Sequence, residues 1–584
     1  TKNTRVWVDD RFCGWDDTLS APQVFDVTTA MSPGRHTITL LVDNSRLPPV
    51  GPSHAVDERT QTNWNGIVGR MELRATAPVW IEDVQVYPDV TKKEARVRIK
   101  ISNITGQIAA GQITIGNGSD TDTRSAGSGK RPTLPVRIEG TEKHLELLYP
   151  IGGETPLWDE FLPSLHHLQL ELQTTLGAQR FTDRRSVRFG MRDFRRDGNR
   201  LRINGRTVFL RGRVDCANYP RTGYAPMDKA EWRRILSIQK AWGINHVRFH
   251  SWCPPEAAFA AADELGIYLQ PEIPSKRSGY QAPENQDAAW HNIDRLDVES
   301  SGAEVSLNDY VKREGELIFR AFGNHPSFVM FTLGNELGRN EGMFEMVAHF
   351  QDANPRCLHA QGANNMHWNP SLAAGDDFWV TAKTSKTLPV RGAFYLHDNP
   401  KAHIENNPPS TMVDFSDSIR GIPVPVIGHE TGAFSVSPDY RDIPKFTGVL
   451  RARNYEIFRE RITAAGMRDQ AQDFVQASGA LAAICYREDI EAALRTPDMS
   501  GFQLLDLMDF PGQGTALVGM LNVFMEDKGV IDQKRWRQFC SETVPLLRMK
   551  KYTWTNDETF VGRVQVAHHG PADLPDATVT WTCL

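Results

Sequence analysis

FVMFTLGNE, running from Phe328 to Glu336, is a compact apolar run followed at once by glycine, asparagine and glutamate. A run that is apolar on both faces suits a parallel strand buried inside an α/β architecture rather than an amphipathic surface strand. VPVIGHE, Val424 to Glu430, has the same form and the same acidic ending. Six further runs flank them: TVFLRGRV (207–214), NHVRFH (245–250), IYLQPE (267–272), CLHAQGA (357–363), AFYL (393–396) and GFQLLD (501–506). Helical patterns lie between several of these. Asp228 to Ala241 opens with an acid and stops before Gly243, and Glu256 to Leu265 stops at Gly266, which are ordinary start and stop signals. Eight such units in about 350 residues predict a (β/α)8 barrel with insertions.

Working outward, the texture changes on both sides. TRVWVD and HTITLLVDN near the start, then KKEARVRIKIS, GQITIG, LHHLQLELQT and RRSVRFGMRDF, read as short strands at sandwich spacing. Strand texture returns after Val544 in TFVGRVQVAHHG and ATVTWTCL. The expected organisation is therefore a partial β jelly roll (1–85), an immunoglobulin-like β-sandwich (86–195), the barrel (196–547) and the start of a C-terminal β-sandwich (548–584). With 584 residues, several cores are required in any case.

Composition narrows the function. A net charge of -6, with no Lys- or Arg-rich run, excludes an electrostatic nucleic-acid binder. Apolar stretches fall short of the roughly 18 residues a membrane span needs. The seven cysteines (13, 216, 253, 357, 485, 540 and 583) lack the spacing of a disulfide scaffold or a zinc site and read as buried thiols. The seventeen histidines form no HxH or HExxH pattern, so neither metal nor cofactor is expected, and a metal-dependent hydrolase is disfavoured.

In such a barrel the reactive groups stand at the carboxyl ends of the strands. Glu336 and Glu430 occupy two of these ends and would face one cavity, which is what glycoside hydrolysis requires of an acid and a nucleophile. Taken singly, either could equally be a solvated loop residue or a helix cap. Asp215, Arg248, His250, Glu272, Asn364, Asn365, Tyr395 and His397 fall at other strand ends, where sugar hydroxyls would be gripped or neighbouring loops held. Trp252, Trp368 and Trp379 could stack on a pyranose face, or serve as core.

The LRG of the first strand, the HVRFHSW turn of the second, the Asn335-Glu336 pair closing the fourth and Glu430 closing the seventh together resemble glycoside hydrolase family 2. RFGMRDF (188–194) is similar to that family's lead-in to its barrel, and TNWNGIVGRMEL (62–73) resembles the last strands of its jelly roll. The resemblance implies Glu336 as acid/base, Asn335 as donor to the sugar 2-hydroxyl and Glu430 as nucleophile. It further implies a secreted or periplasmic retaining exo-β-glycosidase acting on a carbohydrate, with homo-oligomerisation open. The sequence departs from the family pattern at His250-Ser251-Trp252-Cys253, where relatives carry Ser-His-Tyr-Pro, and at Asp506 and Asp509, where relatives place tryptophan. Around Glu526-Asp527-Lys528-Gly529 the Asn-x-Lys signature of a uronate clamp is missing. A β-galactosidase-like specificity is therefore expected ahead of β-glucuronidase, β-mannosidase or α-L-arabinopyranosidase. The alternative from a different class is a non-catalytic carbohydrate-binding protein on an inactive barrel. The insertion Ser275 to Leu307, rich in Ser, Gly, Asn and Gln, is expected to wall the pocket.

Overall fold

The computed structural model describes residues 3–45, 65–118, 132–152, 155–274, 296–298, 303–305, 307–338, 341–393 and 402–582. A three-stranded antiparallel sheet opens the chain, with Asn3–Val8 between Arg11–Asp16 and Ile38–Asp43. Val6 and Val8 turn one face inward. No strand forms across the described part of the TNWNGIVGRMEL segment, contrary to the sequence expectation. Gly66 and Gly69 take positive φ there, which breaks an extended run, and Met71 and Leu73 lie exposed.

Two antiparallel sheets follow. One carries Val79–Asp89, Glu94–Asn103 and Glu142–Pro150; the other carries Ala109–Asn117, Thr133–Ile138, His166–Leu176 and Gln179–Phe189. Alternation in these strands points Val97, Ile99, Ile113, Leu170 and Leu172 into one shared core. The exit from this sandwich is pinned to the barrel by Arg192, whose guanidinium donates to the carbonyls of Pro326 (2.6 Å), Arg356 (2.7 Å) and Phe328 (2.7 Å). Burial lowers that arginine's pKa to about 10. Gly190 permits the close approach, since a Cβ there would come within 2.6 Å of Pro326 and 2.8 Å of Trp158.

The barrel strands are Leu210–Asp215, His246–Phe249, Tyr268–Gln270, Met330–Thr332, Leu358–Ala360, Trp379–Thr381, Val426–Gly432 and Met499–Leu505. Parallel ladders join the first to the second and eighth, the second to the third, the fourth to the fifth, and the seventh to the sixth and eighth. Parallel bridges Leu269 to Phe328, Glu272 to Thr332 and Ala363 to Val380 complete the ring. Seven of the eight runs read from sequence become barrel strands. The sixth does not: AFYL was expected there, but Trp379–Thr381 takes the place, in register with Val426–Gly428. From Phe394 that run lies outside the described residues.

Helices wrap the ring as the stop signals required. Lys229–Ala241 is capped by the Asp228 carboxylate, which accepts the Glu231 amide at 2.8 Å. Glu256–Leu265 ends on left-handed Gly266. The long helix Ala471–Arg495 packs against the seventh and eighth strands. A final hairpin pairs Thr543–Met549 with Gly562–His568. Of the cysteines, Cys216, Cys253, Cys357 and Cys540 are buried free thiols, and Cys13 and Cys485 are free and half-buried. Among the described residues no helix is long and apolar enough to cross a membrane.

Candidate active site

Strand ends gather the site. Glu336 follows the fourth strand with its amide donating to the Ala363 carbonyl at 2.8 Å, which locks it to the fifth strand. Glu430 sits within the seventh strand, and the Arg391 guanidinium donates to the carbonyls of both His429 (3.1 Å) and Glu430 (2.9 Å). Both glutamates have left-handed backbones, φ 51° at Glu336 and φ 44° at Glu430. A residue with a Cβ held there costs on the order of 1–3 kcal/mol, a strain that surrounding structure must over-determine and that is concentrated at functional positions.

One carboxylate oxygen from each glutamate and a ring nitrogen of His429 lie within 4.8 Å of one another. Such a trio could also offer ligand atoms to a metal ion. The Arg248 guanidinium already stands 3.3 Å from Glu430 Oε1 and 3.4 Å from His429 Nε2, so a fixed positive charge already neighbours two of the three groups.

Arg248 organises the floor. Its side chain is wholly buried and donates to Glu272 Oε1 (3.0 Å) and Asn335 Oδ1 (3.1 Å) as well as facing Glu430. Glu272 accepts a further bond from the Thr332 hydroxyl at 3.1 Å. Burial raises the Glu272 pKa, and Arg248 opposes that rise. His429 Nε2 lies 3.0 Å from Asn335 Oδ1, and burial drives its pKa well below the usual imidazole range. It is therefore neutral, and its Nε2 faces both the asparagine oxygen and the Arg248 guanidinium. His250 Nε2 is 3.4 Å from Glu430 Oε1.

The two glutamates thus sit in unequal surroundings. Glu430 faces one guanidinium and two imidazoles. Glu336 accepts from the Asn364 amide at 3.2 Å and has no ion pair among the described residues. Asn364 is itself oriented by the Ala382 amide, donating to its Oδ1 at 3.1 Å, and Asn365 Oδ1 accepts the Leu337 amide at 3.0 Å.

Of the residues singled out from sequence, Glu336, Glu430, Asn335, Arg248, His250, Glu272 and Asn364 fall in this one network. Asp215 stands one strand away, bonded to Arg213 (3.2 Å) and to the Ala217 amide (2.9 Å). Trp252 is core: its ring packs edge-on to Phe249, and its indole donates to the Asp215 carbonyl at 2.9 Å. Trp379 is buried within the sixth strand. Trp368 is half-buried and packs edge-on against His367. Tyr395 and His397 lie outside the described residues. So does most of the Ser275 to Leu307 insertion, of which a short antiparallel pair, Leu296–Val298 with Ala303–Val305, and the start of the helix Leu307–Phe322 are described. Sequence reasoning gave no role to His429, although it ends the same apolar run as Glu430. Arg391 was missed as well, and nothing in its local sequence signals a clamp on a strand four tens of residues onward in the chain.

At the eighth strand Asp506, whose pKa is raised to about 6 by burial, pairs with Arg213 through both oxygens at 2.8 and 2.6 Å. Asp509 binds the Lys528 ammonium at 2.8 Å, and the same ammonium donates to the Gly519 carbonyl at 2.9 Å. These two aspartates, where tryptophan was the expected pattern, therefore hold buried cations.

Fold and site together define the class: a multidomain (β/α)8-barrel protein with a carboxylate pair at the ends of its fourth and seventh strands. Comparison with known proteins agrees. The profile described as glycosyl hydrolases family 2, TIM barrel domain, matches residues 195–377, and that described as glycosyl hydrolases family 2 matches residues 79–192. The chain belongs to glycoside hydrolase family 2. It is similar to the β-galactosidase BgaC of Bifidobacterium adolescentis, 23% identical over 380 residues, covering 62% of this chain and 34% of the relative. A β-galactosidase of Kluyveromyces lactis is 23% identical over 387 residues, covering 62% and 37%. A putative β-glucuronidase of Formosa agariphila is 24% identical over 339 residues, covering 57% and 36%. The matched segment spans about a third of the length of these curated relatives. Among solved structures, a family 2 β-galacturonidase from Eisenbergiella tayi bound to glycerol superposes with TM-score 0.62 at 16% identity, covering 92% of this chain and 84% of that one. A Bacteroides uniformis β-glucuronidase gives 0.61 at 15% identity, covering 94% and 61%. At these identities the likeness is one of fold.

Proposed function

We propose that the protein is a retaining β-glycosidase that removes a terminal sugar from an oligo- or polysaccharide, with Glu430 as nucleophile and Glu336 as acid/base. The observation that carries this reading is the proximity and inequality of the two carboxylates. Nearest oxygens within 4.8 Å put the two carboxyl groups close together, as the spacing of about 5–5.5 Å in retaining enzymes requires. The Arg248 guanidinium favours the ionised form of Glu430, which a nucleophile needs. Glu336, with a neutral amide as its partner, stands opposite as the acid/base.

In the first step Glu430 attacks the anomeric carbon while Glu336 protonates the departing glycosidic oxygen, giving a glycosyl ester and a free alcohol. In the second step Glu336, now a carboxylate, takes a proton from water as that water displaces Glu430, so the sugar leaves with its original anomeric configuration. Asn335 has its oxygen held by Arg248 and His429, and its amide is the group that would bond the sugar 2-hydroxyl, a contact that would tighten as oxocarbenium charge develops.

For specificity we propose a β-galactoside ahead of a β-glucuronide. Four curated relatives carry the name β-galactosidase beside one named a putative β-glucuronidase, and Lys528 is held internally by Asp509 rather than left for a substrate carboxylate. Turnover of 4-nitrophenyl β-galactoside, β-glucuronide, β-mannoside and α-L-arabinopyranoside, with the product anomer followed by proton NMR, tests both parts. Retention with one preferred glycoside supports the reading; inversion, or no cleavage of any of them, contradicts it.

A further inference from the structure

Helix Ala471–Arg495 sends two side chains, Tyr486 and Asp489, three residues apart and so on one face, toward the back of the nucleophile strand. Tyr486 lies so close to Gly432 that a Cβ there would meet its ring at 2.1 Å, and its hydroxyl reaches the carbonyls of Leu505, Asp506 and Val518 at 3.2–3.3 Å. Asp489 is fully buried and accepts the Gly392 amide on Oδ1 at 2.7 Å. The Gly432 amide and the Arg391 side chain also face it. Its other oxygen, Oδ2, is buried without a hydrogen-bond partner. Arg391, the residue before Gly392, is the one that grips the carbonyls of His429 and Glu430.

From this arrangement we infer that Asp489 is a positioning residue for the reaction: it fixes the Arg391-Gly392 segment and the Gly432 amide, and so holds Glu430 in its left-handed conformation. The path runs from a helix carboxylate to the Gly392 amide, and through the adjoining Arg391, whose charge faces that carboxylate, to the two carbonyls flanking the nucleophile's Cα. A carboxylate shielded from water and bonded to an amide donor is a strong constraint, because breaking it leaves a buried charge and an amide unpaired. The inference rests on Glu430 acting as the nucleophile.

The position also makes the clamp sensitive to pH. Burial raises the Asp489 pKa to about 7, against the lowering effect of the Gly392 amide, Arg391 and the Gly432 amide. The other titratable groups near it are Glu405 on the short helix His403–Asn406, Cys485 on its own helix and His403, which lies against Gly392 and is kept neutral with a pKa of about 4. Below neutral pH the carboxyl is protonated and its charge no longer faces Arg391, so the grip on the Glu430 backbone loosens.

The test compares wild type, Asp489→Asn, Asp489→Glu and Glu430→Ala as full chains. Asp489→Asn should lower kcat by about 10²-fold, the cost typical of a small misplacement of a reacting group, with KM little changed. The acid limb of the kcat–pH profile near neutrality should disappear, Asp489→Glu should restore part of kcat, and amide hydrogen exchange across Val426–Gly432 should speed up. A structural role alone would make activity follow the folded fraction and leave the limb in place. Wild-type kcat and unchanged exchange across Val426–Gly432 in Asp489→Asn, with Glu430→Ala inactive, would overturn this inference while leaving the nucleophile assignment intact. Full activity in Glu430→Ala would overturn the assignment itself, and the exchange measurement then still reads the clamp without any substrate.

Discussion

Replacing Arg248 with methionine separates what the buried network does for folding from what it does for chemistry. The guanidinium is wholly buried and touches Glu272, Asn335 and Glu430 at 3.0, 3.1 and 3.3 Å. Methionine keeps much of the volume but leaves the Glu272 carboxylate in a dry site with neutral hydroxyls, Thr332 at 3.1 Å and Ser251, in place of a cation. Removing one partner of a buried ion pair costs about 3–5 kcal/mol. The pH sign follows from Glu272. Its folded pKa is raised above 4.5 by burial even with Arg248 beside it, and losing Arg248 raises it further. A carboxyl with a raised folded pKa binds more protons folded than unfolded, so its effect on stability worsens as pH rises through the window above 4.5. Arg248→Met should therefore lose the full few kcal/mol at about pH 8 and much less at about pH 5. Adding Glu272→Gln should recover most of the stability at the higher pH, because the orphaned charge is gone. It should not recover turnover, since Glu430 still lacks its cation, and kcat should stay down by about 10²–10³-fold, the scale for losing one electrostatic partner of a reacting group. Urea denaturation at both pH values, with kcat for each variant, reads both quantities. Arg248→Met as stable as wild type at high pH, or a double variant whose activity returns with its stability, would refute the argument.

Glu430→Ala should abolish turnover of every substrate, with azide restoring cleavage to the opposite anomer, because a small anion then takes the nucleophile's place. Glu336→Ala should spare the first step for aryl glycosides with acidic phenols and slow the second, visible as a burst followed by a low steady state; an exchange of these two behaviours would reverse the assignment. Gly432→Ala should cost stability and activity together, since φ is 95° there and a Cβ would meet the Tyr486 ring at 2.1 Å; a folded, fully active variant would show that the strand end has room to shift.

The barrel was legible because its parallel strands are buried on both faces and so leave near-continuous apolar runs such as FVMFTL and VPVIG. Glu336 and Glu430 were legible for the same reason, each being a charged residue that ends such a run. The sixth strand was not. Trp379–Thr381 pairs there just after Asp376 and Asp377, acids that read as loop, whereas AFYL is apolar enough to imitate a strand; register against Val426–Gly428, a tertiary property, decides between them. The TNWNGIVGRMEL segment failed differently, since Gly66 and Gly69 could be read as turns within strands or as the absence of strands. Arg391 and Asp489 were invisible because their importance lies in which backbone groups they meet. An aspartate in a helix pattern reads as a solvated residue until the fold shows that it is buried beside the strand carrying Glu430.

The account stands on Glu430 forming a covalent bond to the sugar. Incubating the protein with the 2-deoxy-2-fluoro aryl form of its preferred glycoside, then digesting and sequencing by mass spectrometry, tests that bond directly, because the fluorine slows release and lets the ester accumulate. The expected result is a single glycosyl adduct on the peptide containing Val426 to Gly432, localised to Glu430 and absent from Glu430→Ala. An adduct on Glu336 or any other residue, or turnover with inversion and no adduct, would contradict it.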